Sequence, residues 1–279
     1  MNNTKIAFIG GGNITRAFVT GLIAFNYSPD CIWVSDPSQD HLDFLHQTFG
    51  VHTCKNNIEA VEEADILVLA VKPTVIPNVC NEIKGIIKKT PKLIISVAIG
   101  ATTALMQQWL DHNQQPLIYA MPNTAAAIGS GATGLYANAW VTPEQKNIAE
   151  ALFRSVGVTL WVNNESDINI VCALSGSGPA YIFLMMEALQ KAGTAFGLEA
   201  KTAQLLTDQM VLGAAKMALE AGKPVEQLRQ AVTSPQGTTE AALKVLQEGN
   251  LMLLIEKTIA AAITRAEQIT LSLSQKDPD

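Results

Sequence analysis

Near its amino end the chain runs Ile6-Ala7-Phe8-Ile9, breaks into Gly10-Gly11-Gly12-Asn13-Ile14-Thr15-Arg16, and then resumes with apolar residues at helical spacing, Ala17, Phe18 and Leu22. An apolar run, a glycine turn and a restored helical period describe a strand, a tight corner and a helix whose amino end faces an approaching ligand. Glycine lets the backbone come close, and the free N–H groups and helix dipole attract phosphate. Thr15 stands where a third small residue usually sits in such a corner. A glycine-rich turn without a ligand is the plain alternative.

A second strand, Cys31-Ile32-Trp33-Val34-Ser35, ends at Asp36. A carboxylate at that point accepts hydrogen bonds from an adenosine ribose. Before Pro37 and Ser38 it suits a helix cap equally well. After Val51-His52-Thr53, Asn57 either caps the helix from Ile58 or touches the adenine side of a nucleotide, with capping favoured. Ile66 to Val71 is a continuous apolar run, as a strand covered on both faces requires, and it stops at Lys72-Pro73. Ligands of open parallel sheets lie beyond such strand ends, so Lys72 sits near any dinucleotide, although a solvated lysine explains it as simply. Strands ending near Ala98 and at Met121-Pro122-Asn123-Thr124 repeat the pattern. Alternation of strand and helix predicts an α/β, doubly wound sheet over residues 1–163. No comparable strand signal follows Asn163, so residues 164–279 form a separate, all-helical domain.

Two domains suit a length of 279 residues. With 48% hydrophobic and only 16% charged residues, the chain has apolar surface to cover, and the stripes Leu206, Met210, Met217 and Leu254, Ala262, Ile269 predict pairing with a second copy. A net charge of −6 without a basic cluster argues against nucleic acid. The unbroken apolar runs are too short to cross a bilayer, and the start lacks a basic-then-apolar pattern, which predicts a cytoplasmic protein without a membrane partner. Cys31, Cys54, Cys80 and Cys172 are scattered and the histidines never pair at ligand spacing, so no metal is expected.

Two stretches of the helical half stand out. Ser175-Gly176-Ser177-Gly178-Pro179 breaks an apolar helix between Asp167 and Gly197. It lacks the flanking glycines of a nucleophile elbow, so it is a kink or a place where a helix or ligand comes close. Ser234-Pro235-Gln236-Gly237-Thr238-Thr239-Glu240 lies at a helix amino end. A capped helix start accounts for it, and so does a cradle for a small carboxylate.

Taken in order, Gly10 to Asn13, Ala70 to Pro73, Met121 to Thr124, Leu174 to Ala180, Gly213-Ala214-Ala215-Lys216-Met217 and Ser234 to Thr239 resemble pyrroline-5-carboxylate reductase over nearly the whole chain. The resemblance implies an N-terminal Rossmann-type domain, a C-terminal all-α dimerisation domain, a homodimer that in some members assembles into rings, and reduction of 1-pyrroline-5-carboxylate to L-proline by NADPH or NADH. By motif position it implies that Thr238 bonds the ring nitrogen and that Ser234, Gly237 and Thr239 hold the substrate carboxylate, with Glu165 at a substrate contact. It implies a cofactor lined by Gly10, Gly11, Gly12, Asn13, Ile14, Asp36, Asn57, Ala70, Val71, Lys72, Pro73, Ala98, Pro122 and Asn123.

The chain departs from the family pattern at Gln236, where the loop usually has glycine, at Ala125, at Ile99 and at Thr15. Asp36 repels a 2′-phosphate and no arginine follows it in its loop, so either cofactor is expected to serve, with NADH better used than in typical relatives. A hydroxy-acid or prephenate-type dehydrogenase and a non-catalytic dinucleotide sensor are the competing readings. The first needs a proton-moving histidine or lysine, and the helical half has no histidine.

Overall fold

The computed structural model describes residues 4–275; residues 1–3 and 276–279, the outer ends of the two expected domains, lie outside them. Strands β1 (Ile6–Ile9), β2 (Ile32–Ser35), β3 (His52–Cys54), β4 (Ile66–Leu69), β5 (Leu93–Ser96), β6 (Leu117–Met121), β7 (Gly131–Ala137) and β8 (Gly157–Trp161) form one sheet in the order β3-β2-β1-β4-β5-β6-β7-β8. Interleaved with them run α1 (Asn13–Ala24), α2 (Gln39–Phe49), α3 (Asn57–Glu63), α4 (Ile76–Lys89), α5 (Thr103–Leu110) and α6 (Pro143–Arg154). The pairings from β3 to β6 are parallel, which requires the crossover helices. β7 runs antiparallel to β6, and β8 follows β7 in parallel.

The expected apolar runs become strands buried on both faces. In β1, Ile6 and Phe8 join one core with Phe18, Val34, Val68 and Phe153, whereas Ala7 and Ile9 join the other with Leu67, Leu69, Ile76 and Trp109. The alternation is the period of a strand read in an interior that has no wet face. Phe18 stacks with Phe8 at 5.9 Å between centroids and meets Phe153 edge-on at 4.9 Å, fixing α1 and α6 against the sheet. Thr142 and Gln145 form the capping box at the start of α6, next to Pro143 as expected of that motif.

The remaining helices are α7 (Asp167–Val171), α8 (Gly178–Ala195), α9 (Ala200–Glu220), α10 (Val225–Ala231), α11 (Thr238–Glu248) and α12 (Leu251–Ser274), with a π-helical turn, Cys172–Gly176, between α7 and α8. Compact packing divides the chain at places other than residue 163. The first unit continues to Ser177 and takes in the chain from Ala261 onward, and the second is Gly178–Ala260. The physical reason is packing: Ile168 is buried among Tyr119 and Met121, and Leu273 lies in the core with Trp109. The carboxyl-terminal part of α12 therefore belongs to the sheet unit.

In the second unit α8 packs on α9, with Ala203 close to Gly193. Only Ala203 and Thr207 of this unit are buried, while Phe183, Met210 and Leu254 are 65%, 50% and 59% exposed. A helical unit with so little core of its own has apolar faces that fit a partner surface. Asp167–Ala195 is also long and apolar enough, at mean hydropathy 1.5, to cross a membrane by length and composition alone. Counting unbroken apolar runs misses it, because serine and glycine interrupt the run.

Backbone space sets one sharp constraint at the sheet edge. A Cβ on Gly157, whose φ is +151°, would lie 1.9 Å from the Gly131 carbonyl oxygen across the β7–β8 pair. Gly157→Ala is expected to lower the unfolding free energy by about 3 kcal/mol or more. Gly85→Ala, on the exposed face of α4 with open space around it, is expected to change it by no more than about 1 kcal/mol, and upward. Urea unfolding followed by circular dichroism measures both.

Candidate active site

The site begins where β1 ends. Gly10 has φ +106°, and a Cβ there would lie 2.6 Å from the Ala70 carbonyl oxygen, so only glycine fits between the ends of β1 and β4. The Gly10 N–H donates to the Ser35 carbonyl at 2.7 Å, and the Ala70 N–H donates to that of Ile9 at 2.8 Å. Thr15 is buried, and its hydroxyl donates to the Gly10 carbonyl. A side chain at the third small position is therefore accommodated by satisfying the corner's own acceptor. Gly12 caps α1 without a side-chain bond, and no acid occupies the first turn. The first N–H groups of α1 are thereby left for an anion.

Beside this corner lies a cavity of about 710 Å³, bounded by one face of α1 and by the chain just beyond β4, β5 and β6. Asn13, Ile14, Val71, Pro73, Ala98, Pro122 and Asn123, all expected at a cofactor, line it. Gly10, Gly11, Gly12, Asp36, Asn57, Ala70 and Lys72 do not; Gly10 and Ala70 form the wall behind it, and Lys72 is exposed. Ile99, expected beside the cofactor, lines it too, and Arg16, Thr20, Met121 and Cys172 line it without having been foreseen as binding residues. Helical spacing from Asn13 would have found Arg16 and Thr20, since they share its face. Cys172 carried no local signal, and burial pushes its thiol pKa up.

Asn123 explains the serine-glycine stretch. Its amide nitrogen donates to the Ser175 carbonyl at 3.2 Å and its oxygen accepts from the Ala132 N–H at 3.3 Å, anchoring the π turn to the cavity rim. Gly176 and Ser177 line the cavity from the same turn.

Asp36 is buried. Its Oδ2 accepts from the Gly11 N–H at 2.6 Å, its Oδ1 accepts from the Ser38 N–H at 2.8 Å, and His41 Nδ1 lies 3.2 Å from Oδ1 without hydrogen-bond geometry. The favoured capping role of Asn57 is corrected: Asn56 caps α3 by accepting from the Ile58 N–H at 2.9 Å. Asn57 stands inside the helix. Its oxygen accepts from the Ser35 hydroxyl at 2.7 Å and its nitrogen donates to Glu82 at 2.7 Å, tying β2, α3 and α4 together.

Glu165 accepts from the Thr103 N–H at 2.5 Å at the amino end of α5. Burial raises its pKa, opposed by the bonds from Thr103. Ser234, Gly237, Thr238 and Thr239 belong to the second unit. There Gly237 caps α11 without a side-chain bond and donates its N–H to the Ser234 carbonyl at 3.0 Å. Gln236 takes a left-handed conformation, φ +61°, and its N–H donates to Glu240 at 2.7 Å. A non-glycine residue holds that conformation at a cost of about 1 kcal/mol.

Thr15→Val keeps the shape and removes the donor to the Gly10 carbonyl. A loss of about 1–3 kcal/mol in unfolding free energy is expected, and a smaller loss for Thr15→Ser, both read by urea titration.

Residues 165–269 match the family model described as pyrroline-5-carboxylate reductase dimerisation, and residues 5–100 match that described as NADP oxidoreductase coenzyme F420-dependent. The chain is 41% identical to the pyrroline-5-carboxylate reductase of Pseudomonas aeruginosa over 99% of its length and 100% of the relative's. Its structure is similar to that of a pyrroline-5-carboxylate reductase from Coxiella burnetii, at TM-score 0.92 and 52% identity over 96% of this chain and 99% of the other. A pyrroline carboxylate reductase from Plasmodium falciparum with NADP bound matches at TM-score 0.86 and 27% identity over 97% and 99%. Matched from end to end by reductases of one kind, the chain belongs to the pyrroline-5-carboxylate reductase family.

Proposed function

We propose that this chain reduces 1-pyrroline-5-carboxylate to L-proline with NADPH or NADH, as the last step of proline biosynthesis. The observation that carries the reading is the 41% identity to a reductase along both halves of the chain. The full-length relatives at 35–41% identity are pyrroline-5-carboxylate reductases, which does not favour the hydroxy-acid dehydrogenase or sensor readings. The glycine corner fits a dinucleotide, because backbone N–H groups of α1 are uncapped beside a cavity whose rear wall excludes any side chain at position 10. In this reading Asn13 and Ile14 meet the pyrophosphate, and Val71, Pro73, Ala98, Pro122 and Asn123 hold the rest of the nucleotide against the strand ends. Lys72 and Asp36 act from the rim, and Asn57 supports the wall behind Ser35.

When bound, the nicotinamide supplies the hydride; the chain's own residues position the imine. Ser234 and Thr239 present hydroxyl and N–H donors at the start of α11 to the substrate carboxylate, and Gly237, without a side chain, lets it approach the backbone. Thr238 donates to the ring nitrogen, which steadies its charge as the neighbouring carbon is reduced and turns that carbon towards the hydride. Glu165 holds the start of α5 and lines the approach of the substrate. The apolar helices of the second unit pair with those of a second copy, and pairs assemble into a ring of dimers. Residues 1–163 thus serve the cofactor, and 164–279 serve the substrate and the dimer. We place the reaction in the cytoplasm.

Thr238→Ala is expected to lower turnover about a hundredfold at saturating substrate while leaving dinucleotide affinity in place. Loss of reduced-nicotinamide absorbance with pyrroline-5-carboxylate measures the first and calorimetry the second. Full turnover in the variant would remove Thr238 from the reaction.

A further inference from the structure

We infer that Arg16 recognises the 2′-phosphate of NADPH and so sets which nicotinamide cofactor this chain uses; the inference rests on the reading of the cavity as a dinucleotide site. NADPH and NADH differ only by that phosphate on the adenosine ribose. An aspartate at the end of the second strand favours the unphosphorylated ribose, and an arginine nearby favours the phosphorylated one. Sequence order shows only the aspartate, because no arginine follows it in the β2–α2 loop. The fold brings one in from α1.

Arg16 lies one turn into α1 and lines the cavity, with its guanidinium carbon 4.5 Å from the centre of the Phe44 ring on α2. Helix α2 starts just after Asp36, and its His41 and Phe44 are three residues apart, on one face. His41 belongs to the same corner, since a Cβ on Gly11 would lie 3.3 Å from both the His41 and the Asp36 Cβ atoms. Arg16 therefore reaches from the first turn of α1 to Phe44 on α2, the helix that begins just after Asp36. Among the described residues its guanidinium has no carboxylate partner, and its buried Nε has no hydrogen-bond partner. A half-buried cation in this state has donors to offer to an anion that arrives later. Stacking on Phe44 also leaves the guanidinium edge free for two parallel bonds to one phosphate.

Asp36 does not oppose this arrangement as strongly as a bare carboxylate would. Both of its oxygens already accept backbone N–H groups, from Gly11 and Ser38. The pyrophosphate has its own donors in the uncapped first turn of α1, which leaves Arg16 for the additional phosphate.

Calorimetric titration of the full-length protein with 2′,5′-ADP and with 5′-AMP tests the inference, because the two ligands differ by the 2′-phosphate alone. In Arg16→Gln the ratio of the two affinities is expected to fall about tenfold or more, and the NADPH-to-NADH ratio of kcat/KM should fall by a similar factor. Arg16→Lys, which keeps the charge but not the paired donors, is expected to fall between the parent and Arg16→Gln, and it serves where the glutamine variant does not fold. Equal losses for both ligands would put Arg16 on the shared 5′-phosphate and overturn the inference, as would no loss in either variant. Failure of the parent protein to bind either ligand would overturn the dinucleotide reading itself, a separate outcome.

Discussion

No side chain can stand at position 10, because the Ala70 carbonyl oxygen occupies the place its Cβ would take, 2.6 Å away. That close approach of the β1 corner to the end of β4 fixes the first helix and, with it, the cavity. Because Gly10 is wedged between β2 and β4, α1 leaves the sheet with its amino end open and its side chains at positions 13, 16 and 20 facing the cavity. Thr15 reinforces the wedge by bonding the Gly10 carbonyl, so a residue that departs from the usual pattern strengthens the feature it seemed to weaken.

The sheet unit and the helical unit solve burial differently. The sheet fills both faces with alternate residues of each strand and recruits Leu273 from the far end of the chain to complete one of them. The helical unit buries two side chains and leaves most of its apolar stripes uncovered. The family match to a dimerisation segment over 165–269 agrees with a second copy as the cover. Stability then becomes a property of the pair, which is why apolar content high for a water-facing chain is tolerated here.

Much of this was legible in local sequence. The strand-corner-helix over Ile6 to Leu22 and the buried strand at Ile66 follow from periodicity and glycine placement, which act within a few residues. The misses share one cause. Asn56 and Asn57 are equally good caps by type, and only the positions of Ser35 and Glu82 decide that Asn57 turns away. The bond from the Thr103 N–H to Glu165 joins residues 62 apart, and Arg16 meets Phe44 across two helices. No local pattern encodes such pairs.

By itself the sequence determined the element types, the glycine requirement at the first corner, the family resemblance and the apolar excess that fits a partner surface, since each is written in residue type and spacing. Tertiary structure alone decided where the compact units divide, which strand ends share the cavity, that Asp36 is tied to Gly11 and Ser38, and that a cation from α1 lies over the Phe44 ring of α2. The reason is physical: propensity and capping are settled by neighbours along the chain, whereas burial, charge pairing and cavity shape depend on groups brought together only when the sheet closes.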